Sequence, residues 1–492
     1  MTLTLQHFLP ATPEIFLLAM ITLLLVMDAS LSERYRALTY HMAQVTLVGV
    51  AVLVLMVWPE QPVFRFHDTF VNDALAAVLK LFTVLVTFFV FVYSRPYLQD
   101  RNLFKGEYFI LGLMAVLGML VLISAHSLLT VYLGLELLSL SLYAMVGLHR
   151  ESITASEAAM KYFVLGALAS GMLLYGMSLL YGVTGTLDLA GIAQHLTQNA
   201  GQGSAGGEIG RNIAGLHPVL VLGLVFVLVG IAFKLGAAPF HMWVPDVYHG
   251  APTAVTLFIG SAPKIAVFAM LMRLLVDGLI GLKDDWSQML MILAIASMAI
   301  GNIVAIAQDN LKRMLAYSTI AHSGFLLLGI IAGTQAGFAA SMFYVIVYTL
   351  MAAGGFGMIV LLSRAGVESD RLEDFKGLNE RSPWYAFLML ILMLSMAGVP
   401  PFLGFWAKWS VLREVVNVEL VWLAVVAVCF AIIGLFYYLR VVRMLYFDPP
   451  QEQAPIQAGP GMRFMISTNA LAILALGVYP SALMTVCVTA IQ

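Results

Sequence analysis

Charge is scarce in this chain, and its scarcity excludes most classes of protein. Of the 492 residues 11% are charged, against roughly 25% in a soluble domain. Hydrophobic residues make up 61%, and the mean hydropathy is +0.94. Such a chain cannot cover a water-facing globule, so it is a polytopic membrane protein. The net charge of −2 leaves no basic surplus for nucleic acid. There are two cysteines, Cys429 and Cys487, far apart in apolar runs. They form neither a metal-binding spacing nor a disulfide framework and read as small apolar filler. No phosphate loop, nucleotide fingerprint, metal cluster or nucleophile–base arrangement occurs in the sequence. Met1–Ala11 lacks a basic n-region, and the apolar run after it ends in DASLSERYR, so no cleavable signal peptide is expected. Nothing suggests a second, soluble domain.

What the chain has is long apolar runs. A spanning helix needs about 20 apolar residues. That template predicts fourteen helices, at 12–28, 38–58, 71–94, 107–124, 127–148, 158–183, 218–244, 252–277, 287–307, 311–332, 337–363, 384–411, 418–446 and 461–487. Residues 185–217 carry LDLAGIAQHLTQ, a short surface helix, then the flexible GQGSAGGEIG. Residues 363–383 read as a charged surface segment, and 446–462 as a polar, proline-rich loop. AAGGFG reads as close helix packing rather than a cofactor loop.

Basic residues test this plan. Loops on the side of the N-terminus hold five, namely Arg65, Arg211, Arg273, Lys283 and Arg413. The opposite loops hold sixteen of the 25. The cytoplasmic side carries the excess, so both termini are expected to face away from it. The four basic residues left over, Lys80, Lys234, Lys264 and Lys408, all fall inside predicted helices.

A charge at bilayer depth costs a few kcal/mol even on the mildest scale, about 2.5–3.5 at a helix centre. Lys234 lies in VGIAFKLGAAPFHMWVPD, five residues before Pro239. Lys264 follows Pro263 directly, and Lys408 lies in AGVPPFLGFWAKWSVL, seven residues after Pro401. Glu136, in VYLGLELLSLSLY, is the one acid read as deep in a span. Pro239 and Pro401 break their helices, which membrane depth tolerates only where the freed backbone lies inside protein or lines a cavity. Cations beside broken backbone read as an ion path. A lysine whose charge is disfavoured by burial and favoured by a nearby carboxylate can take and give a proton, and Glu136 paired with Lys234 is such a switch. His322, among Ser318, Thr319 and Ser323, is a relay candidate. His241, past the Pro239 break, is a second. His249 reads as interfacial, and His126 and His149 as surface residues. The ordinary alternatives are snorkelling or packing near Asp73 for Lys80, and structural ion pairs for the others.

KLGAAPFHMW and VPPFLGFWAKW each place a proline and a phenylalanine mid-segment with tryptophan and lysine nearby. Five helices separate them. Two inverted five-helix repeats, 107–277 and 287–446, place broken seventh and twelfth helices at matching positions. The expected plan is one all-α membrane domain over 1–492, with helices 1–3 in 12–106, the two repeats, and a last helix at 461–487.

FKLGAAPFHMWVPDVYHGAPT, SAPKIAVF and NLKRMLAYSTIAHSGF resemble the antiporter-like membrane subunits of respiratory complex I and their relatives in multisubunit cation/proton antiporters. The resemblance runs the length of the chain. It implies a proton-translocating subunit of an NADH:quinone oxidoreductase, a translocase driven by redox chemistry elsewhere. The family's buried polar residues fall on Glu136, Lys234, Lys264, His322 and Lys408, which would form a hydrated axis across the membrane middle. The resemblance carries no role for Lys80. It implies no cofactor in this chain, with flavin, iron–sulfur clusters and quinone in partner subunits. The implied partners are the other membrane subunits of complex I and the lipid bilayer, with no nucleic acid. The implied location is the bacterial inner membrane, multi-pass, with both termini periplasmic. The alternative is a subunit of a multisubunit Na+/H+ antiporter.

Overall fold

The computed structural model describes residues 5–32, 35–202, 218–363, 368–450, 456 and 458–491. The glycine-rich stretch after residue 202, Arg34, Arg211, Arg364 and residues 451–455 and 457 of the proline-rich loop lie outside the described residues. In chain order the crossings begin with α1 Thr12–Ser30, α2 Arg36–Met56, α3 Ala74–Asp100, α4 Gly106–Ile123, α5 Leu128–Val146 and α6 Ile153–Thr184. Next come α7a Pro218–Leu235 with α7b Trp243–Gly250, and α8a Thr253–Ile259 with α8b Pro263–Leu271. Then follow α9 Lys283–Ile306, α10 Leu311–Ala332, α11 Gln335–Leu362, α12a Pro383–Ala397 with α12b Leu403–Asn417, α13 Val421–Tyr446, and α14a Pro460–Val478 with α14b Ser481–Ile491. Thirteen helices among the described residues are long and apolar enough to cross a membrane alone. The twelfth crossing is made by two 15-residue pieces, α12a and α12b, which brings the crossings to the expected fourteen. The surface helix expected after residue 185 is Leu189–Gln202.

α8, α10 and α11 sit in the middle of the bundle, almost wholly buried, whereas α1, α13 and α14a keep most of their surface outward. All are apolar all round, as membrane solvent on one side and protein on the other require. α4 packs on α5 closely enough that a Cβ on Gly118 would stand 2.5 Å from the Leu138 amide nitrogen. Gly301 makes the same approach to Ala321 across α9 and α10.

The seventh and twelfth helices break as expected, over residues 236–242 and 398–402, and by one device. Gly236 and Gly398 take φ of +76° and +84°, a region open to glycine without the Cβ penalty. The next amide then folds back onto the helix: Ala237 N donates to Ala232 O at 2.8 Å, and Val399 N to Leu394 O at 3.0 Å. This is the six-to-one bond of a Schellman ending. Loose backbone past each break is met by a serine. Ala238 N donates to Ser297 Oγ at 2.8 Å and Gly404 N to Ser395 Oγ at 3.0 Å. The eighth helix is also interrupted, over residues 260–262, because Pro263 cannot donate to the turn before it. It ends in a π-helical turn, Met272–Gly278. Pro480 likewise divides the last helix. Neither of these two breaks was expected.

Several sequence expectations are corrected. The third helix starts at Ala74, not residue 71, because Phe70–Asn72 pairs with Val63–Arg65 in a small hairpin. Arg273 is no loop residue. It is 3% exposed and forks onto Asp73, with two bonds of 2.8 Å, and reaches Asp277 at 3.0 Å. Asp73 is thereby taken, and Lys80 pairs instead with Glu14 of α1 at 2.5 Å, their side chains 1% and 8% exposed. Glu136 is therefore not the one acid deep in a helix: it is only half-buried, whereas Glu14 and Glu414 are buried within theirs. His126 is buried rather than surface, its Nδ1 2.9 Å from Asp68 O and 3.3 Å from the Asp188 carboxylate. Lys312, counted with the loops, is 2% exposed.

On the face opposite the N-terminus, Glu368 ties its own loop to three helices, α3, α8a and α10. Its carboxylate accepts from Tyr97 at 3.0 and 3.1 Å, from Arg101 at 2.8 Å and from the Thr253 hydroxyl, with Lys312 3.6 Å away. Burial alone would raise this carboxyl's pKa. Lys312, Thr253 and Arg101 outweigh it and hold it below its ordinary range.

The Lys80–Glu14 pair gives Lys80 a role: it fastens the N-terminal helices to the bundle. Removing one partner strands the other charge, at about 3–5 kcal/mol. Glu14→Ala is expected to lower the amount of assembled protein on a native gel, and the double change Glu14→Ala with Lys80→Met to recover much of it.

Candidate functional site

Lys234 stands in the last turn of α7a, 8% exposed. A cation there is favoured by the negative end of the helix dipole. Its Nζ donates to Ser139 Oγ at 2.7 Å and Tyr143 OH at 3.4 Å. The expected direct pair with Glu136 is absent: no contact within 4 Å joins them. Ser139 and Tyr143 lie three and seven positions past Glu136 on α5, so the ammonium docks one turn further along the helix than the carboxylate. Glu136 stays within electrostatic reach of Lys234, and its buried Oε2 has no hydrogen-bond partner among the described residues.

Lys264 is the second residue of α8b. Its own helix presents a positive N-terminal end, which repels it. It reaches instead to the end of α7a, donating to Leu235 O at 2.8 Å. Lys234 and Lys264 line one cavity of about 20 Å³ with Ser139, Tyr162 and Trp243. That is room for about one water, with polar partners on both sides.

Lys408 repeats the arrangement of Lys264. It is 9% exposed and donates to Ala397 O, the last carbonyl of α12a, at 2.9 Å. Two lysines on different helices thus cap the two half-helices that end at left-handed glycines. Sequence spacing could not show this, because Lys264 lies on the neighbouring helix and Lys408 past the break in its own. Lys408 also stands 5.2 Å over the ring of Phe325.

His322 is 4% exposed and held by two tyrosines, Tyr344 OH 2.7 Å from Nδ1 and Tyr438 OH 3.1 Å from Nε2. Tyr438 is 2.5 Å from Ser318 Oγ, and Tyr348 donates to Thr319 Oγ1 at 2.7 Å. The sequence reading missed these tyrosines. Tyr344 and Tyr348 stand four apart on α11, a helical spacing that places two hydroxyls on one face. No hydrogen bond joins His322 to Lys264 or Lys408. His241 sits in the α7 break, partly exposed, and His249 is exposed.

The structure therefore places Lys234, Lys264, His322 and Lys408 at buried positions within the bundle, with a small cavity shared by Lys234 and Lys264 and hydroxyls or carbonyls bonded to each of the four. Such a row can hold and pass protons. Comparison with known proteins gives the same class. Residues 125–434 match the family described as NADH:quinone oxidoreductase/Mrp antiporter, TM. The fold is also that of a chain in the Mrp complex from Dietzia sp. DQ12-45-1b, with TM-score 0.82 and 21% identity, covering 99% of this chain and 97% of that one.

A chain in respiratory complex I from Thermus thermophilus is 30% identical, with TM-score 0.80, over 96% of this chain and 99% of that one. NADH-quinone oxidoreductase subunit N from Thiobacillus denitrificans is 60% identical over 491 residues, covering 100% of this chain and 99% of the relative. The chain belongs to the NADH-quinone oxidoreductase subunit N family.

Proposed function

We propose that this chain carries protons across the membrane as a subunit of an NADH:quinone oxidoreductase, with NADH oxidation and quinone reduction in other subunits. Its partners are the neighbouring membrane subunits of that complex, and the flavin, iron–sulfur clusters and quinone belong to them. It lies in the bacterial inner membrane with both termini on the periplasmic side, in keeping with the basic residues of the opposite loops. Protons are taken up near Glu136 and Lys234, pass to Lys264 through the shared cavity, cross to His322 and leave at Lys408. Glu136 acts on Lys234 through space and through Ser139 and Tyr143, not as a contact pair. The observation that carries this reading is the seating of Lys264 and Lys408 on the terminal carbonyls of the two broken helices. A helix end that favours the charged form and a cavity that admits water let a buried lysine alternate between forms.

Driving by a sodium gradient is the other reading. The 60% identity to subunit N across the chain favours the redox-driven one. The purified complex, sealed into vesicles, decides: NADH-driven acidification in sodium-free buffer, with flavin and iron–sulfur absorbance, supports it. Proton movement that needs sodium and ignores NADH supports the other.

A further inference from the structure

The row of buried groups has a gap where the two five-helix units meet. Lys264 belongs to the first and His322 to the second, and no hydrogen bond joins them. The Leu235 carbonyl lies between. It accepts from Lys264 Nζ at 2.8 Å and, on its other side, from Ser323 Oγ at 2.9 Å. Ser323 is 5% exposed and sits on α10 beside His322. Its hydroxyl is also 3.0 Å from Thr319 O, one turn earlier on the same face. Thr319 Oγ1 accepts from Tyr348, whose ring centroid is 5.1 Å from that of His322. A lysine ammonium and a serine hydroxyl therefore share one acceptor at the boundary, and the serine is the next residue after His322 on α10.

We propose that Ser323 is the proton-relay residue between the two units, passing to the Thr319–Tyr348–His322 cluster the proton that Lys264 releases. This rests on the proton-carrier reading of Lys264. In the transfer an Nζ–H bond breaks and its electron pair stays on nitrogen, leaving a neutral amine. The Ser323 oxygen takes that proton on a lone pair as its own hydroxyl proton moves on, through one bridging water, to a ring nitrogen of His322, which becomes imidazolium. The serine ends neutral, and the charge has crossed from α8b to α10. The Leu235 carbonyl positions both groups and takes no proton.

The test uses the intact complex in vesicles and compares Ser323→Ala, Ser323→Thr and Lys264→Gln. Ser323→Ala removes the hydroxyl without adding bulk and is expected to slow NADH-driven proton translocation by about tenfold, at the low edge of what a positioned proton-transfer group contributes. Ser323→Thr keeps the hydroxyl and is expected to stay within about twofold of the parent, because a relay needs only the O–H. The amount of assembled complex should be equal in the two. Full translocation in Ser323→Ala, or an equal loss in Ser323→Ala and Ser323→Thr, overturns the relay. If Lys264→Gln alone loses translocation, the relay is wrong and the lysine path stands. If Lys264→Gln also translocates normally, the path itself fails.

Discussion

Lys234→Ala is expected to lower proton translocation through this chain by about a hundredfold while the complex still assembles. The magnitude follows from what a positioned acid–base group contributes to proton transfer, typically 10²–10⁴-fold. Assembly should survive because alanine at the end of α7a removes a buried charge, and Glu136, only half-buried, makes no contact with Lys234 that would be lost. The lysine's partners Ser139 and Tyr143 are neutral, and Ser139 already bonds Leu135 O at 2.7 Å. The measurement is acidification of vesicles per NADH oxidised, beside the amount of complex on a native gel. If the complex assembles and this chain's share of the protons persists, Lys234 is structural. Lys234→Arg should not rescue, since a guanidinium holds its proton at all working pH.

Gly398→Ala is expected to combine two penalties. The backbone at φ +84° costs an L-residue roughly 1–2 kcal/mol. The added Cβ would also stand 2.8 Å from Lys408 Cδ, so the lysine stem must move and its ammonium leaves the Ala397 carbonyl. Translocation should fall by about tenfold, the equivalent of 1.4 kcal/mol in the barrier. Gly185 is the control, because it has φ +71° and nothing within 4 Å of its missing Cβ. Gly185→Ala pays the backbone term alone and should translocate normally. Equal loss in both variants would mean that strain, not the seat of Lys408, sets the effect.

The membrane plan was legible in the sequence because hydropathy is a long, summed signal. Breaks at the seventh and twelfth helices could be read from Pro239 and Pro401, since proline acts locally. The break before Pro263 was missed, although the same chemistry causes it, because the apolar run continues unbroken across it. Partners were harder. Lys234 was assigned Glu136 from the one visible acid, yet a hydroxyl one turn away took the contact. Lys80 was weighed against nearby Asp73, and its counter-charge proved to be Glu14, 66 positions earlier in the sequence. Contacts across a helical bundle depend on which faces meet, and in uniformly apolar helices no periodicity marks those faces. The two lysine caps on helix ends were beyond reach for the same reason. Of the relay residues, His322 stood out by type, while Tyr344, Tyr348 and Tyr438 looked like ordinary aromatic packing.

The central claim is that buried lysines of this chain carry the proton and do not merely hold the broken helices together. Lys264→Gln separates these roles, because an amide can still donate to the Leu235 carbonyl but takes up no proton. The number of protons translocated per NADH oxidised, measured in vesicles holding the complex with Lys264→Gln, should fall below that of the parent while the assembled amount is unchanged. An unchanged number at an unchanged rate of NADH oxidation would contradict the account.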